Sequence, residues 1–210
     1  MKLSRLLLLS IFLSLLFTGC RVNESYWIGD GESSHGSKDT INGEIHIGES
    51  SEVTGACRTI NGSIDVGNFS RVQTLRTING SIEIGKDVEV NGDISGINGR
   101  IYCKPGIKVM GEVGNVNGEI KLEGTLVEDD LTTYTGNIKL YDKTIINGNI
   151  MIKEVHGSSP DYNSLYIEIT DDSIVEGDII NKDDDTEVTV YLSNGGRVKG
   201  RVKGAKVVRR

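Results

Sequence analysis

Two carboxylates 18 residues apart, Asp65 and Glu83, stand at equivalent points of a repeated pattern in this chain. On adjacent rungs of a stacked fold such a pair could serve as the acid and base of a glycoside-cleaving site. No long loop within residues 40–140 could wall a cleft around them, so they read as solvated residues on a strand face. His35, His46 and His156 are scattered without ligand spacing, which argues against a zinc site. Asp183-Asp184-Asp185 lacks the alternating ligands and turn glycine of a calcium loop and reads as an exposed acidic turn. The expectation is therefore a chain that is not an enzyme and uses neither metal nor cofactor.

Cys20 is a different matter. A short basic start, Met1-Lys2-Leu3-Ser4-Arg5, runs into the apolar stretch Leu6 to Phe17. That stretch is too short to span a bilayer and the right length for a secretory signal. Phe17-Thr18-Gly19-Cys20 looks like a bacterial lipobox, in which small residues precede a cysteine that is lipidated when the signal is removed. Residues 1–19 are thus expected to be a lipoprotein signal peptide and Cys20 the lipidated residue. By resemblance to lipoproteins of Gram-negative bacteria, Arg21 in place of Asp after the cysteine implies the outer membrane in such a host. Loss of Lys2 and Arg5 leaves 21 basic and 30 acidic residues, a charge of −9. That balance excludes a general nucleic-acid binder.

The elements that carry these residues are set by one repeated stretch, Thr77-Ile78-Asn79-Gly80-Ser81-Ile82-Glu83-Ile84. Its glycine returns as Gly43, Gly62, Gly80, Gly99, Gly118 and Gly136, in steps of 19, 18, 19, 19 and 18 residues. A period near twenty residues marks one supersecondary unit stacked on itself. Two after each glycine stand Ile45, Ile64, Ile82, Ile101, Ile120 and Ile138; four after stand Ile47, Val66, Ile84, Cys103, Leu122 and Leu140. Two before stand Ile41, Ile60, Ile78, Ile97, Val116 and Tyr134, and none of the intervening positions is aliphatic. Alternation of this kind is the period-2 mark of strands with one dry face.

Asn-Gly also suggests two-residue hairpin turns, which would give a meander. Parity argues against that, because a hairpin at Asn79-Gly80 would put Ile78 in water in every copy. The glycine is read instead as a corner through which Ile78, Gly80, Ile82 and Ile84 all face inward. The recurring Asn42, Asn61, Asn79, Asn98 and Asn117 are expected to stack as an amide ladder beside Gly43, Gly62, Gly80, Gly99 and Gly118. A weaker column at Gly55, Thr74, Gly92, Gly111, Asp130 and Gly148 follows Val53, Val72, Val90, Val109, Glu128 and Ile146 by two residues. The reading is an all-β, single-stranded parallel β-solenoid with turns of 18–19 residues.

Along the chain, residues 20–39 carry the lipidated cysteine and are rich in Gly and Ser, which reads as a flexible tether of roughly 25 Å. Within it Tyr26, Trp27 and Ile28 are expected to cap the coil. The regular solenoid is expected over residues 40–152. Residues 153–210 are read as an irregular continuation, with Gly157, Gly177 and Gly200 extending the first glycine column and His156 to Asn163 looping out. Asp171 to Glu187 holds eight acids and one lysine, while Arg197 to Arg210 holds seven basic residues and no acid. The latter reads as a basic C-terminal edge that discourages end-to-end growth. Cys57 and Cys103 lie about two and a half turns apart, roughly 12 Å along the axis, beyond the ~7 Å reach of a disulfide. Both are expected to be free thiols.

Thr59-Ile60-Asn61-Gly62-Ser63-Ile64 and its copy at Thr77 to Ile82 resemble the repeat of a bacterial family of adhesin-like β-strand-repeat proteins. The likeness covers roughly residues 40–150 and implies the fold. Val175-Glu176-Gly177-Asp178-Ile179 and Gly196-Arg197-Val198-Lys199-Gly200 look like the repeat of bactofilins, which polymerise as scaffolds but lack secretion signals. Together these readings imply a bacterial cell-envelope protein, held to the membrane through its N-terminal lipid. Its non-catalytic solenoid would serve a structural or surface-interaction role, with an envelope protein or glycan as partner. A bactofilin-like self-assembling scaffold and a glycan-binding or glycan-cleaving β-helix are the alternatives.

Overall fold

The computed structural model describes residues 20–154 and 163–210. The expected signal peptide 1–19, Gly157 and the excursion beginning at His156 lie outside the described residues. The described residues wind as a parallel β-solenoid with three faces, parallel sheets of ten, nine and nine strands. Each turn lays one strand on each face before rising to the next. On face one Tyr26–Ile28, Ile45–Ile47, Ile64–Val66 and Ile82–Ile84 stack in order. Face two carries the two-residue strands Ser33–Ser34, Glu52–Val53 and Arg71–Val72 and their successors, and face three carries Lys38–Thr40, Cys57–Asn61 and Leu75–Asn79 and theirs. Neighbouring strands run parallel with Ile64, Ile82 and Ile101 in register, which excludes the hairpin meander.

The two columns after the glycine fill the interior as their spacing predicts, from Ile45 and Ile47 to Ile138 and Leu140. The column before it does not. Ile60, Ile78 and Val116 are only half-buried and Ile97 is 39 % exposed. Four residues, Ile78 to Ser81 in one copy, separate the last inward residue of face three, Thr77, from the first of face one, Ile82, and an even number between them resets the parity. The inward residues of face three are instead those three and five before the glycine. They comprise Thr59 and Cys57, Thr77 and Leu75, Gly96 and Ile94, Asn115 and Val113, and Thr133 and Leu131. Burying each aliphatic side chain in this core is worth roughly 1.5–3 kcal/mol before ordering entropy is charged.

Three further expectations are corrected. Residues 20–39 are not a tether: Tyr26–Ile28, Ser33–Ser34 and Lys38–Thr40 form the first turn of the coil. Tyr26 and Ile28 face inward there, and Lys38 is buried with its ammonium donating to the carbonyls of His35 and Gly36 at 2.9 and 2.8 Å. A buried lysine with its head on backbone carbonyls suits a turn that has no further layer beneath it among the described residues. On face two Val127, not Glu128, stacks on Val109, because that turn spans 18 residues rather than 19. Gly177 and Gly200 stack on Gly148, where a Cβ on either would meet the carbonyl of the glycine one turn before, so they continue the second column and not the first. The register there includes a 29-residue step from Ile138 to Ile167 and a 23-residue step from Ile167 to Val190, which breaks any simple count.

Candidate functional site

Cys20 sits at the head of the coil, half-exposed, with its thiol pushed above the usual range by burial and then by Asp39. The next residue is already part of the fold. Arg21 pairs with Thr40, its N–H donating to the Asp39 carbonyl at 2.9 Å and its carbonyl accepting from Ile41 at 3.0 Å. Its guanidinium lies 4.5 Å from the centre of the Tyr26 ring and 3.4 Å from Glu24. A group attached to Cys20 is therefore joined to the first turn without slack.

The corner residues form a continuous structure along one edge. Asn42 donates its amide to Asn23 at 2.7 Å, and Asn61, Asn79, Asn98 and Asn117 each donate to the asparagine one turn before at 2.8, 2.8, 2.9 and 3.1 Å. Thr135 closes the series by donating its hydroxyl to Asn117. Asn23 is thus the first rung, missed because its turn lacks the Ile-Asn-Gly context. The glycines matter for stacking: a Cβ on Gly62, Gly80, Gly99 or Gly118 would fall on the carbonyl oxygen of the preceding glycine in the column, and one on Gly43 on that of Glu24. Inside the corner, Thr59 and Thr77 donate to the carbonyls of Gly43 and Gly62, both at 2.9 Å. The recurrence of Thr three before Gly43, Gly62, Gly80 and Gly136 is the signal that could have revealed this inner ladder.

Asp65 and Glu83 do lie side by side on face one, in the outward column Trp27, His46, Asp65, Glu83, Tyr102, Lys121 and Lys139. Burial first and Glu83 second hold the Asp65 carboxyl above its ordinary range. Glu83 is engaged by Arg100 at 2.7 Å. Further along, Lys121 and Lys139 pair with Glu123 and Glu119, each at 2.6 Å, and lie over the rings of Tyr102 and Tyr166 at 4.9 and 5.8 Å. The Tyr102 and Tyr141 hydroxyls donate to Glu123 and Glu168 at 3.0 and 2.7 Å, and burial followed by those carboxylates raises both phenols. Cations from neighbouring turns thus lie against these rings, and the face reads as a self-paired ladder. A shallow polar depression of about 270 Å³ at the next corner, lined by Glu52, Phe69, Arg71, Asp87 and Glu89, does not include Asp65 or Glu83.

Asp183 is buried and satisfied within its own turn, accepting from Thr186 and Asp185. Among the described residues no group of three or more His, Cys, Asp or Glu side chains is placed to hold a metal ion. Cys57 and Cys103 are free and buried, and burial pushes both thiols up to about 12. The acidic and basic stretches near the C-terminus face each other across one turn. Lys199 meets Glu176 at 2.8 Å, Lys203 meets Asp178 at 2.7 Å, and Asp178 also accepts from the Arg201 N–H at 2.8 Å. Comparison with protein-family models, with curated proteins and with solved structures finds no match to this chain.

Proposed function

We propose that this chain is a lipid-anchored protein of the bacterial cell envelope whose solenoid is a rigid, non-catalytic module with a structural or surface-interaction role. The observation that carries the reading is the junction at Cys20 and Arg21: the lipobox-like cysteine is followed at once by the first hydrogen-bonded residue of the coil. A lipid at that position would hold one end of a rod whose face one stacks ten strands, nine steps of ~4.8 Å or roughly 43 Å. Side faces whose charges are largely matched from turn to turn suit a spacer more than a cleft-bearing enzyme. The adhesin-like repeat at Thr59 and Thr77 and the net charge of −9 after removal of residues 1–19 accord with an envelope location.

The test is mass analysis of the N-terminal peptide of the protein expressed with its leader in a bacterial host, alongside fractionation of Cys20→Ser. Diacylglyceryl-Cys20 at the new N-terminus, with the variant lost from the membrane fraction, is the expected result. An unmodified Cys20, or a chain cleaved elsewhere, overturns the anchor.

A further inference from the structure

Among the described residues the first turn carries the most exposed large apolar side chain. Trp27, the single tryptophan of the chain, is 70 % exposed and Val22 is 56 % exposed. Trp27 belongs to the terminal strand of face one, and its ring rests against His46 of the next turn at 4.9 Å between centroids. One side of the indole thus faces the next turn, and the ring is otherwise largely exposed. The other large exposed apolar residues lie elsewhere: Phe69 and Met110 flank face two, Ile97 is at the corner of faces three and one, and Val207 is in the last strand. Among the described residues no side of the coil gathers them.

From this we infer that the first turn rests directly on the bilayer, with the solenoid axis along the membrane normal and Trp27 and Val22 at headgroup depth. The inference rests on the reading that Cys20 is lipidated. With Arg21 already bonded to Asp39 and Ile41, an anchored Cys20 leaves no chain to hold the turn away from the surface. Indole is suited to that depth, apolar in body with one N–H donor. Among the described residues the outer edges of Tyr26–Ile28 and Ser33–Ser34 have no strand beyond them, and that of Lys38–Thr40 has only the single bridge to Arg21; their open backbone groups would be costly in hydrocarbon but find partners among headgroups and water. The seating is shallow for that reason. Arg21 and Lys38 stand against Glu24, Asp30, Glu32 and Asp39 in this turn, two minus four giving −2, so contact does not depend on anionic lipid. The seven bases from Arg197 to Arg210 then lie at the far end, roughly 43 Å from the bilayer.

The experiment uses the full lipidated protein, purified in detergent, checked by mass for the lipid on Cys20 and reconstituted into phosphatidylcholine–phosphatidylethanolamine vesicles carrying brominated chains. Trp27 emission is read directly, and a dye on Arg209→Cys reports distance to an acceptor in the bilayer. The expected result is a blue-shifted emission quenched more by bromines near the headgroup than by those deep in the chain, in high and low salt alike, with little transfer from the far dye. Lipidated, vesicle-bound protein whose Trp27 emission is unchanged overturns the seating and leaves the anchor standing. Quenched Trp27 with strong transfer from position 209 means a rod lying on its side and overturns the upright axis. Protein without lipid on Cys20 that stays off the vesicles removes the underlying reading, and the seating with it.

Discussion

Gly96 and Asn115 are partners in register on face three, and the Asn115 amide oxygen occupies the space in front of Gly96: a Cβ there would lie 2.7 Å from it. The amide nitrogen of Asn115 donates to the Gly99 carbonyl at 2.6 Å, while its oxygen is buried with no hydrogen-bond partner among the described residues. The pair replaces the Thr–Thr stacking seen at Thr59 and Thr77. Gly96→Ala should therefore cost about 1–3 kcal/mol by overpacking. In the Asn115→Thr background, which removes the orphaned oxygen and opens the space, the same change should cost much less. Urea unfolding of the four proteins gives the coupling, expected at about 0.5–3 kcal/mol; strictly additive midpoints would sink the account.

Gly80→Ala puts a methyl group onto the Gly62 carbonyl one turn away. Neither partner is a flexible side-chain end, so the turns must separate locally. A loss of about 1–3 kcal/mol is expected, read as a lowered denaturation midpoint with the parallel-sheet circular dichroism retained in the folded state.

The amide ladder is expected to show end effects. Asn79→Ala removes two hydrogen bonds, to Asn61 and from Asn98, whereas Asn23→Gly, used because Asn23 stands at φ 59° where alanine would add strain, removes only the one from Asn42. At about 0.5–1.5 kcal/mol net per bond, with exposure favouring the low end, the interior change should cost about twice the terminal one. Equal effects at the two sites would show that the ladder does not act rung by rung.

Asp65 gives a pH signature. Its carboxyl is held up by burial and by Glu83, so its folded pKa exceeds its unfolded one. Folding then favours the protonated form: the associated stability is present below the unfolded pKa and is lost as pH rises through the folded one. Asp65→Asn should raise the melting temperature at pH 7. That gain should shrink as the pH falls and vanish near pH ~3, where Asp65 itself is protonated. A gain that persists unchanged in acid would point to packing instead of charge.

Cys57 and Cys103 lie in the core with thiols pushed up to about 12 by burial. Both should resist a disulfide reagent at pH 8 in the folded protein, and two groups per chain besides Cys20 should react after unfolding without reductant. Fewer than two would reveal a disulfide.

The sequence alone determined the period, the parallel winding and the interior columns two and four after each glycine, because a side chain's position in a strand alternates by covalent geometry. It also carried the asparagine series, since residues repeated at a fixed step must stack when the turns do. What it left open was where a strand stops and a corner begins. Ile78 and Leu75 are equally apolar, and only the stacking of Gly80 on the Gly62 carbonyl decides that the chain turns there, taking Ile78 outward and Thr77 in. The same holds for Val127 over Glu128, for Gly177 and Gly200 in the second column, and for the first turn where a tether was expected. Each depends on which turn lies above or below, and the meeting of Lys203 with Asp178, 25 residues apart in sequence, exists only once the coil has closed.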